Sequence, residues 1–303
     1  MNPRIGVILP SLAVQRDERL SLAEAARLAE RLGLDGVWHG DHLATGNPSL
    51  DSTVALATAA AVTERVSVGL SVFIPAIRPL AWAAKQIASL QRLSGDRLLL
   101  GVGSGGGPAQ WAAAGVPYAE RGRRTDLALR LLPELLAGKA TRFEHEPGAP
   151  VVELLPTATM PPVWVGNASA VAIRRAAELG DGWFPSLIPP AELSAGRARL
   201  VERAAELGRP EPVVALGATG ALGSAPGLPT VEDIAAGMHR GYGIDLERAR
   251  AIPITGPATA VAERFADYAE AGASHVVIGL TGPGWRAQAE VLAEARSLLQ
   301  PRE

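Results

Sequence analysis

The sequence predicts a closed barrel of eight parallel β-strands, each followed by helix. Two observations lead there. Eight short, continuous apolar runs alternate with stretches of helical periodicity along 303 residues, and such runs suit parallel strands covered on both faces by helices. Glycines and polar residues gather just after those runs, at one end of the strands, where such a barrel carries its functional groups. An open doubly wound sheet is the competing arrangement. Eight β-α units in a chain of this length favour closure.

The first strand is read over 4–10, "RIGVILP". A helix follows. Ser21 and Glu24 form a capping-box pattern, Leu22, Ala25, Leu28, Ala29 and Leu32 recur at helical spacing, and Gly33 can close the end. The second strand is 35–38. The helical run "STVALATAAAVTER" leads to the third strand, 66–74. Pro79 starts a helix that ends near Gly95; the fourth strand is 97–103, and a helix spans 121–137. Residues 139–161 break the alternation and read as a small hairpin around Pro147-Gly148. Strands at 161–167, 181–186 and 212–219 follow, with helices over 169–179 and 190–207 between them. Residues 220–256 are read as a second, irregular insertion in which Thr230 caps a short helix. Pro257 opens the next helix, 274–280 is the last strand, and "WRAQAEVLAEARSLL" the last helix. No Pro/Gly/Ser-rich linker divides the chain, so 1–303 is read as one domain with insertions near 139–161 and 220–256.

Composition narrows the function classes. At 48% hydrophobic and 20% charged residues the chain is globular, not disordered. A net charge of -2 gives no basic excess for nucleic acid. With no cysteine there is no disulfide framework, thiolate metal site or cysteine nucleophile. The apolar run at the N-terminus is too short for a signal peptide or a membrane span, and a cytoplasmic protein without membrane partners is expected. Only Lys85 and Lys139 are lysines; the preference for arginine is attributed to codon usage.

The chemistry is expected at the rim. In "DGVWHGDHLATG" (35–46) a buried-looking strand stops in His39, Gly40, Asp41 and His42. Imidazole titrates near neutral pH and a neighbouring carboxylate can orient it, so His42 is the expected general acid or base with Asp41 beside it. His39 is expected to point away from the barrel or to pack near Trp38. A metal site is a second reading of "HGDH", but His145, His239 and His275 are scattered and bring no further ligands. "GVGSGGG" (101–107) satisfies G-x-G-x-x-G after a strand. As a dinucleotide fingerprint it is weak, being on the fourth strand with Pro108 next. Its exposed backbone N–H groups can hold an anion or let a flat ring approach. "VGNASAVAIRRAA" (165–177) runs from strand to helix N-terminus, a second anion-capable loop. Together they suit one phosphorylated cofactor. Trp38, Trp111, Trp164 and Trp183 are read as core residues whose bulk near the rim can shape a pocket for a flat ring.

Four segments carry a family resemblance: "AERLGLDGVWHGDH" (29–42), "VGLSVFIPAIRPLAWAAKQIASLQRLSGDRLLLGVGSGG" (68–106), "PPVWVGNASAVAIRRAAELGDGWFPS" (161–186) and "TGPATAVAERFADYAEAGASHVVIGL" (255–280). In this order they resemble the bacterial luciferase-like superfamily, and most closely its branch using the deazaflavin coenzyme F420. The resemblance implies a TIM barrel with a flavin or deazaflavin at the C-terminal rim. It implies a non-proline cis peptide at Ser71-Val72 backing the ring, with His42 handling a proton and Asp41 at the ring edge. It implies that Gly103, Ser104, Gly105 and Gly106, with Gly166, Asn167 and Ala168, hold the polyol and phosphate. One departure matters. The branch's sugar-phosphate dehydrogenases carry a glutamate where Gly106 stands, which argues against that activity. Pro10, Leu12, Phe73, Ile74 and Trp111 suggest a rather apolar pocket for a small-molecule substrate.

The expectation is therefore F420-dependent hydride transfer. The alternative is an FMN-dependent monooxygenase fed by a partner reductase. A homodimer is implied by the resemblance alone.

Overall fold

The computed structural model describes residues 2–46 and 48–299. Strand β1 (Arg4–Ile8) leads through helices α1 (Leu12–Asp17) and α2 (Leu22–Arg31) to β2 (Gly36–His39). Then come α3 (Ser52–Ala61), β3 (Ser67–Phe73), α4 (Leu80–Leu93), β4 (Leu98–Val102), and α5 (Pro108–Ala113) with α6 (Arg121–Leu136). The hairpin β5 (Thr141–Arg142) and β6 (Val151–Val152) precedes β7 (Val163–Gly166), α7 (Ala170–Leu179), β8 (Gly182–Phe184) and α8 (Pro190–Glu206). The chain finishes with β9 (Val213–Leu222), α9 (Val231–Tyr242), α10 (Leu246–Arg250), β10 (Ile254–Gly256), α11 (Ala258–Glu270), β11 (His275–Leu280) and α12 (Trp285–Leu299).

Strands β1, β2, β3, β4, β7, β8, β9 and β11 pair in that order, all parallel, and β11 returns to β1 at Arg4↔His275. This is the closed barrel that the alternation predicts, and its eight strands coincide with the eight apolar runs. The capping box at Ser21 and Glu24 is present, as is the Thr230 cap, where Asp233 answers reciprocally.

Residues 220–256 need correction. They are not irregular. Strand β9 runs on to Leu222, and β10 pairs parallel with its last turn at Gly220↔Ile254, above the barrel. The small residues Gly220 and Ala221 read as loop. They are there because a Cβ at Gly220 would collide with the Ile254 carbonyl. Around this extension α9 and α10 bury a satellite core of Ala221, Ile234, Met238 and Ile252. Two short helices, α1 and α5, form in segments to which the sequence reading assigns no element.

The barrel interior is plugged by aromatic rings. Trp38 stacks on Trp164 at 5.6 Å between centroids, and Phe184 lies 5.3 Å from Trp38. The Trp38 indole fits because the adjoining strands carry glycine: a methyl at Gly69, its partner in register on β3, would overlap the ring. This plug closes the barrel below and leaves the C-terminal ends of the strands open above it. Among the described residues no helix is long and apolar enough to cross a membrane.

Candidate active site

The open end is a cavity of about 630 Å³. Its wall draws on the ends of β1, β2, β3, β4, β7 and β8 and on the loops that follow them.

At the end of β2, Trp38 turns into the barrel and the next four residues turn out to the rim. Asp41 is buried, 7% exposed. Its carboxylate accepts two hydrogen bonds from Arg78 (Nη1 at 2.8 Å, Nη2 at 3.0 Å), one from Ser52 Oγ at 3.1 Å and one from the Ile74 backbone N–H at 2.9 Å. The Arg78 guanidinium lies over the Phe73 ring at 4.4 Å. Asp41 thus staples the loop after β2 to the loop after β3 and to the start of α3. His42 is exposed in the cavity wall. A Cβ at Gly40 would sit 2.7 Å from His42 Nε2, so glycine there lets the imidazole fold back over the loop.

His39 also lines the cavity, against the expectation that it points away. Its Nδ1 lies 2.7 Å from the Gly40 carbonyl, so the proton sits on Nδ1, and burial holds the imidazole below its ordinary range.

At the end of β3 the Ser71-Val72 peptide is cis, where the resemblance places it. Ser71 Oγ is buried with no hydrogen-bond partner. The Val72 side chain is accommodated by two glycines, Gly103 just past β4 and Gly166 at the end of β7. A Cβ at Gly103 would overlap it, and one at Gly166 would come within 2.9 Å of its Cγ1. Those glycines, read from sequence as anion loop, first of all make room for Val72.

Beyond β4, Ser104, Gly105, Gly106 and Gly107 line the cavity before α5. Gly105 has φ +70° and rests on Trp111 and Ile74. Beyond β7, Asn167 has φ +87° and its Oδ1 accepts from the Ser169 N–H at 2.8 Å, while Ser169 caps α7. Trp183 Nε1 donates to the Asn167 carbonyl at 2.8 Å and braces this loop. Ala168 packs against the core and is not in the cavity wall.

The fold therefore brings His42, Asp41, Ser71, Val72, Gly103, Ser104, Gly105, Gly106, Gly166 and Asn167 to one cavity and leaves Ala168 behind it. Pro10, Leu12 and Ile74 are in the wall; Phe73 and Trp111 are fully buried behind it. None of Trp38, Trp111, Trp164 and Trp183 is in the wall. Three residues escaped the sequence reading. Arg78 is a lone charge in "FIPAIRPLAW", and Gln110 is a lone polar residue in "GPAQWAA" that is buried in the wall with an unpaired Oε1. Tyr242, at the end of α9, reaches the mouth from the second insertion and carried no signal.

Among the described residues neither lysine nor arginine lines the cavity, and no three His, Cys, Asp or Glu side chains gather to hold a metal ion. The wall fits a flat ring with a polar tail. It offers a face at Ser71-Val72 and two side-chain-poor turns, Gly103–Gly107 and Gly166-Asn167.

Known proteins agree with this architecture. The barrel superposes on an F420-dependent secondary alcohol dehydrogenase in complex with an F420-acetone adduct at a TM-score of 0.83, with 17% identity, covering 99% of this chain and 100% of that one. An F420-dependent tetrahydromethanopterin reductase from Methanopyrus kandleri gives 0.78, with 19% identity and 99% and 100% coverage. The FMN-bound oxygenating constituent of 3,6-diketocamphane monooxygenase from Pseudomonas putida gives 0.73, with 15% identity and 97% of each chain. In sequence, an uncharacterised protein of Mycobacterium tuberculosis is 36% identical over 169 residues, 55% of this chain and 58% of that protein. The chain thus matches little more than half the length of that curated relative. The family description "Luciferase-like monooxygenase" matches residues 10–233. The chain belongs to the luciferase-like monooxygenase family.

Proposed function

We propose that the protein is an oxidoreductase that binds the deazaflavin coenzyme F420 in the rim cavity and moves hydride between it and a small, neutral, fairly apolar organic substrate. The observation that carries this reading is a convergence on one cavity. Ser71 and Val72 at the end of β3, the Gly103–Gly107 loop, Gly166 and Asn167 beyond β7, and His42 all line the same space.

The bound coenzyme supplies a ring that accepts or releases hydride. The chain's own residues do the rest. Val72 and Ser71 form the surface behind the ring. The Ser104–Gly107 loop and the Gly166-Asn167 turn ahead of α7, which line the cavity, would lie beside the phosphate. His42 takes or gives a proton at the substrate. Asp41 holds the His42 loop through Arg78, Ser52 and Ile74 and has no free lone pair directed at a ligand donor. A wall without lysine or arginine favours a neutral substrate over a phosphorylated one.

The FMN monooxygenase reading shares the cavity and is supported by the FMN-bound relative. It requires reduced flavin from a partner reductase. A homodimer is part of the proposal on the family's precedent, and Val54 and Trp82, exposed on α3 and α4, offer it an apolar face.

Titration with F420 and with FMN, each oxidised and reduced, followed by quenching of the six tryptophans, tests this. Selective binding of the deazaflavin is the expected result. Selective binding of reduced FMN replaces the reading with the monooxygenase one, and binding of neither removes the cofactor.

A further inference from the structure

Among the described residues the cavity has no lysine or arginine in its wall, but a groove outside it has four arginines. Between α6 and α7 a surface groove of about 520 Å³ is lined by Arg123 and Arg130 from α6 and by Arg174 and Arg175 from α7. Its floor is Leu127 and Val171, the latter 52% exposed. The acids nearby are accounted for one by one. Asp126 accepts from the buried Arg175 at 2.5 Å, Glu120 from Arg123 at 3.0 Å, and Glu178 from Arg174 at 2.8 Å. Among the described residues Arg130 has no ion pair. The Glu120 and Glu178 pairs are surface pairs. Such pairs contribute little and can exchange for a stronger anion.

Position gives the groove its meaning. Asn167 is in the cavity wall, Ser169 caps α7, Val171 in the groove is only two residues past that cap, and Arg174 and Arg175 follow within the next turn and a half. A ligand with its phosphate at the Asn167 loop would leave the cavity past the start of α7 and meet the arginines next. Guanidinium groups match carboxylates in a forked geometry. A single phosphate monoester ends at the α7 terminus and reaches none of this. A phosphodiester that continues into a chain of carboxylates uses all of it.

We propose that this groove binds the oligoglutamate tail of the deazaflavin coenzyme, outside the cavity that binds its ring. The proposal rests on the functional reading above. It separates the two cofactors by their tails: F420 carries a flexible chain of carboxylates and FMN does not. The ion pairs are exposed, so the tail adds affinity and salt dependence and leaves the chemistry untouched.

The test compares F420 carrying several glutamates with its tail-less form by equilibrium titration, at low and at high salt. It uses the wild-type protein and an Arg123→Gln, Arg130→Gln, Arg174→Gln triple variant. In wild type at low salt the tailed form is expected to bind roughly tenfold more tightly, the sum of three exposed ion pairs. That advantage shrinks at high salt and is lost in the triple variant, whose Kd for the tail-less form stays at the wild-type value. Equal affinity of wild type for both forms overturns the groove and leaves the cofactor reading standing, as does a triple variant that keeps the full advantage. Binding of neither form overturns both. The three arginines are on the surface, and an unchanged thermal midpoint verifies that the variant is folded. Arg130→Glu alone is the second variant and is expected to weaken only the tailed form.

Discussion

Asp41 and His42 adjoin in sequence and part company in the fold. The carboxylate is consumed by Arg78, Ser52 and the Ile74 N–H, and the imidazole is left facing the cavity. His42→Ala is therefore expected to keep cofactor affinity and lose kcat by about 10²–10⁴-fold, the usual worth of a positioned proton-transfer group. Undiminished turnover would remove the role. The glycine loop needs a more careful choice of position. Gly105 is held at φ +70° against Trp111, so any side chain there strains the backbone and says nothing about ligand. At Gly106 a Cβ meets only Gln110 Nε2, at 3.6 Å. Gly106→Asp is expected to fold normally and to weaken cofactor binding about tenfold or more, because it sets a carboxylate beside the phosphate. A normal Kd in the folded variant would move the phosphate elsewhere.

Among the elements, β3 has the most demands on it. Its middle passes Trp38 so closely that only glycine fits at position 69, and its end carries the cis peptide and the Asp41 anchor at Ile74. The paired indoles contribute strongly to the core; truncating such a buried ring costs about 3–5 kcal/mol. Gly69→Ala forces a methyl into the Trp38 ring and is expected to cost at least about 2 kcal/mol by overpacking. The urea midpoint reads this directly, and an unshifted midpoint would mean that the plug gives way easily.

Over the whole molecule, part of the response to acid comes from the end of the barrel opposite the cavity. The lower end holds His275 at the start of β11. Its ring meets Trp164 edge-on at 4.7 Å, its Nδ1 lies 3.0 Å from Ser274 Oγ, and Arg4 is its partner in register on β1. Burial, then the charge of Arg4, push the imidazole down from 6.5 to about 4, against a smaller opposing pull from Asp35. Asp35 is itself held by Arg296 and the Ile5 N–H. The sign follows. Above pH 6.5 the ring is neutral in folded and unfolded chains and costs nothing. As pH falls from about 6.5 to about 4 the unfolded chain takes a proton that the folded one refuses, and stability is lost; below about 4 the loss stops growing. The full loss is at most on the order of 3 kcal/mol. As pH falls across that range, the thermal midpoint of wild type should drop relative to that of His275→Gln, and parallel curves would refute it.

The strands, most helices and their caps were legible because they depend on local regularities. Apolar runs, the Ser21 and Thr230 caps and the prolines that open helices act over a few residues, and the count of eight units sufficed for closure. The Gly220-Ala221 extension was misread because small residues signal a turn unless the crowding strand is known. The histidines at the rim were legible as a cluster, but that His39 also lines the cavity was not. That Arg78 captures Asp41, that Gly103 and Gly166 serve Val72, and that Tyr242 reaches the mouth from a distant insertion depend on contacts between residues far apart in the chain. Alternation along the sequence determines which residues can be strand ends. Only the closed barrel decides which of those ends share a cavity and which side chain in it remains free, because hydrogen bonds and close packing are settled between strands.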